Sequence, residues 1–251
     1  MGSRTLKKWL VRPLLQQKMI EYRYDAVKFF LDNYMVTQKV QRCLQSIGDI
    51  ERVVGRIALR RAGLQDFLRL KDGLSTLPEL KSFFISSSAL LSNYAHTIDD
   101  FSSLSAYLSQ ALYNGTDHDW TIAEGYNKEL DRYRNLIHNS QKELLALEQK
   151  EQNVTGINSL KIRYNGVQGY YIEVTKTNIH LVPEHYIRRQ TLVGKERYSS
   201  PELQELQHAI MSARLQSESL EHELFTEVKE KVIPHVSALR KMAHALGQID
   251  V

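Results

Sequence analysis

Between Ile157 and Ser200 the chain carries Lys161, Arg163, Lys176, Arg188, Arg189, Lys195 and Arg197 against only Glu173, Glu184 and Glu196. That segment alone is +4, and so is the whole chain, with 33 Lys+Arg and 29 Asp+Glu among 251 residues. The remaining sequence therefore sums to neutral, and the positive excess is localised. Localised cationic charge on a folded element suits an electrostatic grip on phosphates. Arg and Lys supply charge, Asn and Thr add neutral donors, and glycines let backbone amides approach an anion. A solvated surface is the simpler reading of the same charges.

Other residues that could do chemistry are less well arranged. His180 and His185 flank Leu181-Val182-Pro183-Glu184, and a five-residue spacing across a proline does not put both on one face for zinc. The single Cys43 excludes an internal disulfide framework and reads, within VQRCLQSI, as a small buried hydrophobe. Asp99-Asp100 and Glu129/Asp131 suggest acid/base pairs, but near neighbours on a helix do not face each other, so they read as caps or solvated faces. Tyr164, Tyr170 and Tyr171 have the type to stack on bases. Two of them, Tyr164 and Tyr170, share the expected core face of a strand, which favours packing. No G-x-x-x-x-G-K-[ST] loop occurs, so the backbone cradle such a loop makes for nucleotide phosphates is missing.

The elements that must position the basic segment follow from periodicity. With 42% hydrophobic and 25% charged residues the chain can bury a core, and only five Pro and twelve Gly leave room for long elements. From Leu6 to about Leu112 apolar residues recur at spacings of three and four, as in Met19, Tyr22, Ala26 and Phe29/Phe30, then Ile50, Val53/Val54 and Ile57, then Leu64 and Leu68. This predicts an all-α bundle, with Asp49 capping the helix after it and Pro78 in the first turn of another. The polar passage NGTDHDWTIAEGY precedes a long helix from about Asn127 to Gln152, whose seam is Leu130, Tyr133, Ile137, Ser140, Leu144 and Leu147. Ser200-Pro201-Glu202 starts a second long helix whose apolar face runs from Leu203 to Val232 before Pro234. Two such helices, each reaching about 40 Å, are expected to pair antiparallel around the insertion.

Within the insertion the period changes to two. Leu160, Ile162 and Tyr164 alternate with Lys161, Arg163 and Asn165; Gly166 and Gly169 bracket a turn; Tyr170, Ile172 and Val174 alternate with Tyr171, Glu173 and Thr175. A third strand, Tyr186 to Leu192, places Arg188 and Arg189 on opposite faces unless it is bulged. The expected fold is mainly α: a helical bundle whose two long antiparallel helices carry a small antiparallel β insertion. The expected domains are residues 1–140 with 201–251 for the helical body and 141–200 for the insertion with its helix ends.

The stretches TGINSLKIRYNGVQGYYIEVTKTN and YIRRQTLVGKERYSSPEL closely resemble the clamp segment of the bacterial DNA mismatch repair MutS family. IGDIERVVGRIALRRAG, then LPEL, resemble that family's core and lever, and MGSRTLKKWLVRPL is similar to its entry into that domain. The likeness covers essentially the whole chain. It implies double-stranded DNA as the partner, held without reading sequence, with phosphate contacts from Asn165, Gln168, Arg189 and the turn Gly194-Lys195. Arg188, Lys176 and Arg197 are further candidates, and family members often place Asn where this turn has Gly194. The triplet Arg52, Arg56 and Arg60 is implied to be structural wiring. The family's mismatch-reading Phe-x-Glu motif and its ATPase loop are both missing, so the stretch reads as a middle section ending just before the ATPase. No catalysis and no cofactor are then expected of it. ATP and Mg, a homodimer and a MutL-type partner belong to a full-length protein. One cysteine and the absence of a spanning run or leader suit a reducing cytoplasm and no membrane, and the resemblance implies a bacterial setting at the nucleoid. The rival reading is a helical scaffold whose basic tip binds an acidic protein.

Overall fold

The computed structural model describes residues 1–85 and 87–251. It is mainly helical with one small four-stranded antiparallel sheet, as the periodicities predict. The chain divides into two compact units, one of Met1–Tyr126 with Leu224–Val251 and one of Asn127–Glu223.

In the first unit α1 (Gly2–Val11), α2 (Gln17–Asp32), α3 (Tyr34–Ile47), α4 (Ile50–Ala58), α5 (Leu64–Ser82), α6 (Ala89–Thr97) and α7 (Ser102–Ala111) follow one another. Their apolar stripes meet in a core that buries Ile50, Val53, Val54 and Ile57 of α4 with Phe67, Leu70 and Leu74 of α5. Cys43 is buried there as a free thiol, and burial raises its pKa. Asp49 caps α4 as expected, its Oδ1 accepting the Arg52 amide at 3.4 Å. Pro78 departs from expectation: it lies inside α5 and starts no helix. Leu70, Leu74, Leu77 and Leu80 are all buried along α5, and this continuous packing carries the helix past a residue that lacks the amide for the i−4 bond. The triplet on α4 and its end is wired internally. Arg52 pairs with Asp49, Arg56 with Asp66 and Arg60 with Glu230, while Arg4 bridges Asp49 and Glu51.

The second unit holds α8 (Lys128–Thr155), a sheet of β1 (Lys161–Asn165), β2 (Gly169–Thr175), β3 (Ile187–Leu192) and β4 (Lys195–Ser199), and the greater part of α9 (Pro201–Val232). Helix α10 (Val236–Ile249) closes the chain within the first unit. Asn127 caps α8 by accepting the amides of Glu129 and Leu130, and the Ser200 hydroxyl caps α9 by accepting the Leu203 amide at 3.2 Å. The two helices are antiparallel: Arg134 near the start of α8 meets Glu221 at 2.9 Å, and Lys150 near its end meets Glu202 at 2.6 Å. Leu130, Ser140, Leu144 and Leu147 are buried along the expected α8 seam, and so are Arg134 and Glu151.

Candidate nucleic-acid interface

The sheet order is β1-β2-β4-β3, all antiparallel. One face, with Ile172, Val174 and Tyr198, packs on Leu144 and Leu147 of α8 and on Leu203 and Ile210 of α9. Strand pleating sends alternate residues to the other face. The register aligns Lys161, Glu173 and Arg197 across β1, β2 and β4, with Arg163 beside Tyr171 and Lys195 beside Thr175. The outward face of the sheet is therefore cationic around one carboxylate. Lys195 Nζ donates to Glu173 Oε1 at 2.8 Å, and Arg163 Nε approaches the same oxygen at 3.4 Å. Lys161 turns instead to Glu148 of α8 at 2.8 Å.

Tyr171 overturns the expectation drawn from alternation. It points outward yet is only 5% exposed, whereas Tyr164, assigned to the core face, is 55% exposed. The Arg197 guanidinium stacks over the Tyr171 ring at 4.3 Å, and Arg197 Nη1 donates to Gln190 Oε1 at 2.9 Å. A lid of polar side chains thus buries an aromatic ring that the period-two pattern sends to solvent. Tyr164 lies on an edge strand, tilted against Tyr170 at 5.0 Å.

The sequence-predicted site residues fall into distinct places. Asn165 Oδ1 accepts the Val167 amide at 2.9 Å and so closes the β1–β2 turn, while Gln168 reaches Gln190 at 3.3 Å. Arg189 sits in a β-bulge, since the register shifts between Arg188 and Gln190, and both arginines are exposed. A polar cavity of about 150 Å³ is lined by Gln168, Tyr171, Arg189, Ser199, Gln204 and His208, among others. Asn165, Gln168, Arg189 and Arg197 thus gather around one end and the middle of the sheet. Lys176, Gly194 and Lys195 gather at the other end, where the Lys176 amide donates to Gly194 O at 3.1 Å. Gly169 to Thr175 separates the two groups along β2 by about 20 Å, at roughly 3.3 Å per residue. Gly194 has φ +85°, a region open to Gly and tolerated by Asn. Arg188 stands apart, aligned with Tyr198 on the helix-facing side and 3.8 Å from Glu196.

Several residues that shape this surface were not singled out from sequence. Gln207 of α9 accepts the Tyr170 amide at 2.8 Å, beyond Ile172–Tyr198, the last β2–β4 pair at that end, and so supplies an acceptor where the ladder stops. Glu151 of α8 accepts from the Tyr186 hydroxyl at 2.6 Å, and Glu196 from Tyr198 at 2.5 Å. Burial, then the Glu196 bond, pushes the Tyr198 phenol up to about 12, and burial with the Glu151 bond raises Tyr186 further. Polar residues at apolar-rhythm positions are the only sequence signal for such pairs.

The second unit thus pairs two long antiparallel helices with a small antiparallel sheet whose outer face is cationic. The family model of MutS domain III matches residues 1–251, and the chain belongs to the MutS family. It is 39% identical over 255 residues to the DNA mismatch repair protein MutS of Caldicellulosiruptor saccharolyticus, covering all of this chain and 30% of that protein. It is 37% identical to the MutS proteins of Thermosipho melanesiensis and Shouchella clausii, again over the whole chain and over 31% and 29% of theirs. The chain spans about three-tenths of the length of these curated relatives. No described helix is long and apolar enough to cross a membrane.

Proposed function

We infer that the sheet holds double-stranded DNA by its phosphate backbone, as the clamp of a mismatch repair protein. The observation that carries this reading is the outward face on which Lys161, Arg163, Lys195 and Arg197 surround a single carboxylate. Phosphate contacts position a duplex without specifying its sequence. The bulged Arg189, the Asn165–Gln168 turn and the Lys176–Gly194–Lys195 end extend the same grip along the sheet. In this reading residues 141–200 are the clamp, and residues 1–140 with 201–251 are the lever. The stretch itself is not catalytic. A whole MutS-type protein would bind ATP and Mg elsewhere, act as a homodimer in the bacterial cytoplasm at the nucleoid, and engage a MutL-type partner. DNA held by the clamp would bias the nucleotide site, and nucleotide would bias the clamp reciprocally.

Titration of a labelled duplex at several salt concentrations tests the grip. Log affinity should fall linearly with log salt, with a slope of about −0.9 per phosphate contacted and shallower than about −6 for seven cations. Arg189→Ala and Lys195→Ala should each weaken binding equally for unrelated sequences, with circular dichroism unchanged. Salt-independent binding, or full affinity in the double variant, refutes the reading.

A further inference from the structure

Glu173 is the one carboxylate among the strand residues on the outward face, and its charged neighbours across the strands are all of opposite sign. Lys161 and Arg197 flank it directly across β1 and β4, and Arg163 and Lys195 lie on the two diagonals. Its side chain is 12% exposed, so the cations cover it, while those of Arg163 and Lys195 stay about half exposed. Cations converging on one anion make an anion site, and here the resident anion is part of the chain. A carboxylate and a phosphodiester present the same charged oxygen acceptors to Arg and Lys.

Building on the DNA-backbone reading above, we propose that Glu173 is a built-in competitor for the phosphate seat of the clamp. In the free protein its carboxylate holds Lys195 and Arg163. When duplex DNA docks, these two long side chains exchange Glu173 for a backbone phosphate. Each phosphate contact is then made against a bond already present, which keeps individual contacts weak and readily exchanged. Arg189 and Lys176, which have no ion pair among the described residues, take no part in this exchange.

The experiment compares wild type with Glu173→Gln and Glu173→Thr, titrated with one labelled duplex across a salt series. Gln keeps the shape without the charge, and Thr is a good strand residue that also lacks it. Both should bind about fivefold tighter at moderate salt, the equivalent of one strong surface ion pair. Both should also steepen the salt slope by about one to two, as one or two more cations become available to phosphates. Glu173→Asp keeps the charge and should keep the wild-type slope. A resident carboxylate that merely organised the cations predicts the opposite, weaker binding in both neutral variants. Weaker or unchanged binding with an unchanged slope, in folded neutral variants of a protein whose wild type binds with normal salt dependence, overturns the proposal alone. A wild type whose binding ignores salt overturns the DNA-backbone reading as well.

Discussion

Replacing Tyr186 by Phe isolates the bond that ties the start of β3 to α8. The hydroxyl donates to Glu151 Oε2 at 2.6 Å, and both residues are buried in the second unit. A hydrogen bond to a charged group contributes about 1.5–3 kcal/mol, and its loss leaves a carboxylate short of a partner where water has little access. Removing the hydroxyl also removes the need to desolvate it, so the net loss should be about 2 kcal/mol. Glu151→Gln lowers the charge that makes the bond strong, and the double variant should show a coupling of about 1 kcal/mol or more. The assay can be confined to the right unit, because Trp9 and Trp120 both belong to the first. Urea unfolding followed by tryptophan fluorescence should therefore be unchanged in Tyr186→Phe. Amide exchange, read by mass spectrometry over β3, β4 and the end of α8, should show the full loss. A change below about 0.5 kcal/mol in those segments would mean that the short bond adds nothing to stability.

Gly169→Ala should destabilise the second unit by about 2 kcal/mol, because φ +75° is strained for a residue with a Cβ, and that Cβ would stand 2.5 Å from Gln207 Oε1. Adding Gln207→Ala should relieve the clash but not the backbone strain, which amide exchange over β2 would report. In the first unit, the Arg4 guanidinium holds the Asp49 carboxyl below its usual range. A depressed carboxylate contributes stability that is present above its unfolded value, about 3.9, and is lost as pH falls through the folded value. Urea midpoints by tryptophan fluorescence should drop more steeply below pH 4 in wild type than in Arg4→Ala.

Helices were legible because their apolar rhythm is local: α8 and α9 appear at nearly their observed bounds, and the caps at Asp49 and Ser200 are single-residue signals. Pro78 misled because its helix is sustained by burial of Leu74, Leu77 and Leu80 against residues distant in sequence. The strands were legible as alternation, but what covers each face was not. Tyr171 is buried by Arg197, a residue on another strand, and only the β2–β4 register brings the two together. Reading α8 for apolar residues alone likewise passed over Arg134 and Glu151, whose partners Glu221 and Tyr186 lie far along the chain. The possibility that the third strand is bulged was visible in the adjacency of Arg188 and Arg189, and the structure has the bulge.

That bulge, together with Glu148, also bears on how the molecule behaves in crowded solution. A four-stranded sheet has two open margins, and a flat margin invites another chain to add a strand. On β1 the Glu148 carboxylate accepts the Ile162 amide at 2.8 Å, occupying a position that an incoming strand would need. On β3 the ladder is broken between Arg188 and Gln190, and two exposed arginines stand at the break. A second copy approaching that margin meets a kinked backbone and like charge. The module can thus present a cationic sheet at high local concentration without its copies zipping into one another.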